Sequence, residues 1–159
     1  MNLQQMKELE DFKANVEERQ RYASSLYQDN VVPLLEKFHE ELTQKLIAYF
    51  QDNGFNIQRS GSVVSANYKN LQFDISEAPY DVSIKEGNAL KAFIRVSFRS
   101  YQGGSMSIPP DEFLAEKARI QHRLDGIETN IECYSKPEVY YEFNGATYDN
   151  ADDLIKVIF

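Results

Sequence analysis

Apolar residues in the first thirty positions recur at alternating intervals of three and four. Arg19 interrupts an otherwise apolar set that consists of Leu9, Phe12, Val16, Ala23 and Leu26. This is the a/d spacing of a coiled-coil seam, and it predicts a helix with one narrow apolar stripe. We expect the stripe to act as an oligomerisation seam in a homodimer; the alternative is that this helix packs on the chain's own sheet.

A second helical pattern follows Asp29-Asn30. Asn30 suits an N-cap position, Pro33 is tolerated in a first helical turn, and Asn53-Gly54 is a stop signal. The apolar stripe of this helix is wider and contains Leu35, Phe38, Leu42, Leu46, Tyr49 and Phe50. Residues 1–53 are therefore predicted to be a helical region, either an antiparallel hairpin or one long kinked helix.

Between Phe55 and Ser107 the period of the pattern changes to two, which predicts antiparallel strands with one buried face. A third helix is predicted from Ser107 to Gly126, where the glycine serves as its stop signal. Alternation then returns over residues 127–134 and 138–143, which predicts a hairpin, and Asn144-Gly145 is a strong turn signal. Asn150 caps a short terminal helix.

These elements predict a single α+β domain over residues 1–159. A helical pair with coiled-coil-like spacing precedes an antiparallel sheet within residues 54–159. Two further helices, near residues 110–125 and 150–158, are expected to pack on the apolar face of that sheet.

Charge is distributed unevenly along the 159-residue chain, whose net charge is −8. Residues 54–109 carry 6 basic and 4 acidic side chains, whereas residues 110–159 carry 5 and 11. An acidic protein is repelled by nucleic acid at long range, so broad phosphate binding is disfavoured. The asymmetry directs attention to one acidic and one basic surface.

The predicted hairpin of residues 127–134 and 138–143 would place all its polar residues on one side. If opposed residues meet through the turn at Ser135-Lys136-Pro137, even-numbered positions share one face. That acidic sheet face would contain Glu128, Asn130, Glu132, Tyr134, Glu138, Tyr140 and Glu142. A solvated face is the default interpretation. The functional interpretations are a patch for a basic protein partner or a divalent-cation site.

A second hairpin has the opposite charge. Pairing residues 82–85 with 91–98 places the apolar positions inside and leaves Lys85, Lys91, Phe93, Arg95 and Arg99 outside. Basic residues around an exposed aromatic ring are what a single-stranded nucleic-acid platform requires. The alternatives are a face covered by helices or by a second subunit.

Residues with catalytic potential lack supporting neighbours. His39 and His122 are predicted to be surface residues of helices, and Cys133 is predicted to be a small core residue, so a pairing of Cys133 with His122 has no local support. Gly103-Gly104-Ser105 lacks the lysine and spacing of a P-loop. We therefore expect no cofactor and no metal, and we favour a protein that is not an enzyme.

The leading hypothesis is a non-enzymatic protein-binding module, a small acidic regulator or inhibitor of another protein. A more specific version of this hypothesis is an acidic nucleic-acid mimic that occupies the nucleic-acid groove of a host-defence or nucleic-acid-processing protein. The alternatives are an enzyme with a carboxylate-based, metal-dependent site and a single-stranded nucleic-acid binder that uses the basic face. The single cysteine, the charged first twenty residues and the short apolar runs predict a cytoplasmic protein without a membrane segment.

Overall fold

The computed structural model describes residues 1–159 and confirms an α+β protein with an antiparallel sheet. Its helices are α1 (Leu3–Leu26), α2 (Val32–Asp52), α3 (Glu112–Ser135) and α4 (Ala151–Ile158), and a π-helical segment spans Tyr27–Val31. Its strands are β1 (Asn56–Ser60), β2 (Val63–Tyr68), β3 (Leu71–Ala78), β4 (Asp81–Glu86), β5 (Ala89–Phe98), β6 (Val139–Phe143) and β7 (Ala146–Tyr148). No helix is long and apolar enough to cross a membrane.

The chain divides into two compact units, each built from separate stretches of sequence. The first unit comprises residues 1–32 and 99–138, and the second comprises residues 33–98 and 139–159. The single-domain organisation stays a prediction.

The first unit is a pair of parallel helices, α1 and α3. Ion pairs join Glu8 to Lys117, Glu17 to Arg123 and Arg19 to Glu128, in the same order along both helices. Between them lies a cluster of buried side chains that consists of Leu9, Val16, Ala23, Ile120, Ile127 and Ile131. The predicted oligomerisation seam of α1, including the partly buried Phe12 and Leu26, is therefore filled by α3 of the same chain.

The prediction that the third helix ends at Gly126 is wrong, because α3 continues to Ser135. Gly126 gives the Tyr101 ring room here, since a Cβ at this position would lie 3.3 Å from Cε1 of that ring. Ile127 and Ile131 extend the buried stripe of α3 beyond the glycine. Burial of this stripe against α1 outweighs the low helix propensity of one glycine.

The predicted hairpin of residues 127–134 with residues 138–143 is therefore wrong as well. Residues 127–134 belong to α3, and β6 pairs instead with β5 and β7. The apolar residues of 127–134 fit a period of two and a helical spacing equally well, so the pattern alone did not distinguish them. The Asn144-Gly145 turn is confirmed, with φ of 50° and 76° at the two residues, as a type I′ turn requires.

No loop separates α1 from α2, so residues 1–53 do not form the antiparallel hairpin that was one of the two alternatives. The π-helical segment takes the place of the predicted break, and the amide of Val32 donates to the carbonyl of Tyr27, five residues earlier. Pro33 follows at once and has no amide hydrogen to donate. A π-helical turn accommodates such a local change in hydrogen-bond register without ending the helix.

The second unit is a seven-stranded antiparallel sheet in chain order, with α2 and α4 on one face. The inward face of the sheet is apolar, and its fully buried members include Val64, Ile75, Val82, Ile84 and Ile94. Tyr141 hydrogen-bonds through its hydroxyl to the carbonyl of Phe38 in α2 at 2.7 Å. Burial raises the pKa of that hydroxyl, which keeps it protonated as a donor.

Candidate binding face of the sheet

The side chains that alternate with this core point to the opposite side of the sheet, which we call the outer face. Strand register places Ser76 of β3 beside Ser83 of β4, and Ser83 beside Phe93 of β5. The next row places Asp81 of β4 beside Arg95 of β5. The outer face therefore has two small hydroxyl residues, Ser76 and Ser83, next to the large ring of Phe93. We call these two residues the serine floor.

Phe93 is the principal apolar feature of the outer face, and its side chain is 44% exposed. Its cross-strand neighbour Ser83 is too small to cover the ring. Leu90, at the same side of β5 and opposite Lys85, is 59% exposed. The guanidinium of Arg95 lies 5.9 Å from the centre of the Phe93 ring, a cation–π distance.

The outer face carries charged side chains of both signs. Arg95 Nε lies 3.3 Å from a carboxylate oxygen of Asp81, and Lys85 lies opposite Asp74 in the register of β3 and β4. Asp74 also accepts a hydrogen bond from the Ser65 hydroxyl at 2.6 Å. This surface is polar and of mixed charge, not basic.

Three of the five residues predicted for the basic face, namely Lys85, Phe93 and Arg95, do lie on the outer face. Lys91 does not, because the register of β4 and β5 shifts between Ile84 and Lys85. The ammonium group of Lys91 lies 5.9 Å from the ring of Phe159, which stacks on Tyr49 of α2. The bulge therefore turns Lys91 towards the side of the sheet that carries the helices.

Arg99, the fifth predicted residue, belongs to the first unit. Its guanidinium lies 3.5 Å from Glu138, and its amide donates to the carbonyl of the same residue. These two bonds hold the start of the loop of residues 99–111 next to the end of α3. Arg99 therefore belongs to that loop and not to the outer face.

The predicted acidic face is dispersed in the structure. Glu128, Asn130, Glu132 and Tyr134 lie on α3, Glu138 precedes β6, and Tyr140 and Glu142 lie on β6. Arg19 donates to both carboxylate oxygens of Glu128, and this hydrogen bonding lowers the pKa of Glu128. The seven residues therefore form no single sheet face, because the strand that would have carried four of them is helical.

Residues with nucleophilic or acid–base potential do not converge. His122 and Cys133 lie eleven positions apart on α3, a separation of about 16 Å along a helix. His39 Nε2 lies 3.3 Å from the backbone carbonyl of Asp81 in the second unit. No group of three or more His, Cys, Asp or Glu side chains is placed to hold a metal ion.

A groove of about 460 Å³ lies beside α2 and α4 in the second unit. Lys45 and Asp152 form an ion pair at 3.3 Å across its wall, and Asp52 and Lys156 also line it. The polar lining consists of flexible charged side chains on helix surfaces, an arrangement that does not orient a small molecule.

Comparisons with protein-family models, with curated proteins and with solved structures gave no match. The description of the outer face therefore depends on its own residues. Sequence reasoning identified Phe93 and Arg95 from strand parity. It missed Leu90 and the serine floor, although Ser83 lies between the buried Val82 and Ile84, the same signal that identified Phe93.

Proposed function

We propose that this protein is a non-enzymatic protein-binding module and that the outer face of its sheet contacts the partner. One observation carries the proposal: Phe93 and Leu90 are 44% and 59% exposed on a face of serines and charged side chains of both signs. Aromatic and arginine side chains are enriched at protein interfaces, and a few residues supply most of the binding energy there.

A protein fits the outer face better than a nucleic acid does. The charged residues near Phe93 are Asp74, Asp81 and Glu142 against Lys85 and Arg95, so the local balance is slightly acidic. The chain as a whole carries −8. A phosphate backbone would be repelled at long range, whereas the apolar surface of a protein gains from covering Phe93 and Leu90.

The expected partner surface has two parts. An apolar side chain would enter the shallow area between Phe93 and the serine floor. Polar groups of both charge signs would surround it, since Arg95 and Asp81 lie side by side on β5 and β4. A surface of mixed charge does not support the nucleic-acid mimic, because a mimic requires carboxylates along one continuous surface. Some acidic residues of α3 also form ion pairs, as Glu128 does with Arg19.

The first experiment places a photo-crosslinking amino acid at position 93, with a matched probe at Val157, an exposed apolar residue of α4 in the same unit (56% exposed). Nuclease-treated native lysate is irradiated, and the protein crosslinked at position 93 is identified and purified. Its affinity is then measured for the wild type, for Phe93→Ala and Leu90→Ala, and for Val157→Ala as the control.

We expect Phe93→Ala to weaken binding about tenfold or more, as for a residue in the energetic centre of an interface. Val157→Ala should leave the affinity unchanged. Far-UV circular dichroism controls for folding, since all three side chains are exposed. Equal crosslinking at positions 93 and 157, or an affinity unchanged by both outer-face substitutions, would overturn the proposal. Salt-sensitive retention on single-stranded RNA that Arg95→Glu abolishes would instead favour nucleic-acid binding.

A further inference from the structure

The first strand of the sheet has an open edge. β1 lies at the end of the strand order and pairs with β2 on one side only. Four of its five side chains are exposed, so no other part of the chain covers it. The opposite edge, β7, has three residues and leads directly into α4. Short edge strands resist pairing with another chain, and β1 lacks this protection.

Strand geometry shows which backbone groups of β1 are free. The turn at Gly61 and Ser62 closes the hairpin with a hydrogen-bonded pair of Ser60 and Val63. Hydrogen-bonded pairs alternate along an antiparallel ladder, so Gln58 and Asn56 also bond β2. The amide and carbonyl groups of Ile57 and Arg59 therefore point away from the sheet, along the open edge.

We propose that two copies of this chain pair antiparallel through β1, about a twofold axis at Gln58. In this register Ile57 of each copy lies opposite Arg59 of the other, and their free amide and carbonyl groups form four hydrogen bonds. The two Gln58 residues meet as a pair without hydrogen bonds at the axis. All five residues of β1 are paired, and the two sheets become one. This inference is independent of the outer face and of its proposed partner.

The charge pattern of β1 favours a second copy in this register. Arg59 is its only charged residue, and β1 contains no proline and no acidic residue. Pairing about Gln58 places each Arg59 against the aliphatic Ile57 of the other copy. Pairing about Arg59 would place two like charges directly opposite each other, which destabilises a ladder. The strand is therefore complementary to itself in the register that also uses all its free backbone groups.

The test is a disulfide across the axis. In a Cys133→Ser background, which removes the only native cysteine, Gln58→Cys should form a disulfide-linked dimer under mild oxidation. Residues in such a pair have Cα atoms about 4.5 Å apart, within the range of a disulfide. Arg59→Cys is the matched control. Its two copies are offset by two residues along the strand (about 6.8 Å) as well as by the strand spacing of about 4.8 Å, so they lie roughly 8 Å apart, beyond that range.

The unlinked protein supplies the second readout. Sedimentation should give twice the 18.4 kDa mass of the chain, and Ile57→Pro should give the monomer. Proline removes an outward amide donor and leaves the bonds to β2 in place, so the sheet is expected to stay folded by circular dichroism. A monomeric wild type at high concentration, or equal crosslinking of Gln58→Cys and Arg59→Cys, would overturn the proposal.

Discussion

The two units bury apolar side chains in different ways. The first unit encloses one seam between α1 and α3, and 8 of the 26 buried apolar residues of the chain belong to it. The second encloses a layer between a sheet and two helices and contains the other 18. A two-helix seam leaves most of each helix surface in water. We therefore expect the first unit to open before the second unfolds.

The largest predicted effect concerns the core of the second unit. Ile84 is fully buried in β4, and Ile84→Ala should lower the free energy of unfolding by about 2–5 kcal/mol, because it removes buried methyl groups and leaves a cavity. Ile127→Ala, in the seam between α1 and α3, should lower the free energy of unfolding by less, because side chains around an open seam can move into the space that the substitution leaves. Urea denaturation measures both values. A larger loss for Ile127→Ala would contradict the comparison, and amide exchange should show the seam variant loosening α1 and α3 only.

A smaller effect is expected at Gly126. Alanine in a helix interior is favoured over glycine by about 1 kcal/mol, but here its Cβ would press on the Tyr101 ring. Gly126→Ala should therefore raise the free energy of unfolding by the full amount only in a Tyr101→Ala background, and by clearly less in the wild type. A double-mutant cycle read by urea denaturation measures this coupling. Equal increases in the free energy of unfolding in both backgrounds would show that the Tyr101 ring moves away from the new Cβ without an energetic penalty.

The smallest effect is expected for the exposed ion pair of Arg19 and Glu128, and it depends on pH. Hydrogen bonds from Arg19 lower the pKa of Glu128 from its usual 4.5, so the pair stabilises the folded state above that value. Its contribution is lost as pH falls through the lowered pKa. Arg19→Met should therefore reduce Tm at pH 7, and the difference from the wild type should disappear in acid. A difference that persists in acid would assign the effect of Arg19 to packing.

The same comparison explains how much of the structure the sequence could predict. Strands β1 to β5 were predictable because each pairs with its neighbour in sequence, and alternation placed the apolar residues of β4 and β5 on the inward face. Lys91 was misplaced because a bulge changes parity by one residue and leaves no mark in the hydrophobic pattern.

The first unit could not be assembled from the sequence in the same way. The seam of α1 was visible, but its partner is more than 100 residues away, and Ile127 and Ile131 fit a strand as well as a helix. Gly126 was interpreted as a stop signal because a glycine that makes room for a ring looks the same in sequence as one that ends a helix. Of the residues predicted for the basic face, Lys85, Phe93 and Arg95 were recovered where parity held, and Lys91 was lost at the bulge.

The separation of α1 from α3 also has a consequence for biosynthesis. Arg19 and its partner Glu128 are 109 positions apart, so the ribosome completes α1 long before its partner exists. At about 5–20 residues per second the delay is roughly 5 to 20 seconds. Throughout that interval the stripe of Leu9, Val16 and Ala23 has no native surface to cover it, and the nascent chain depends on chaperones or on its own transient collapse to avoid aggregation.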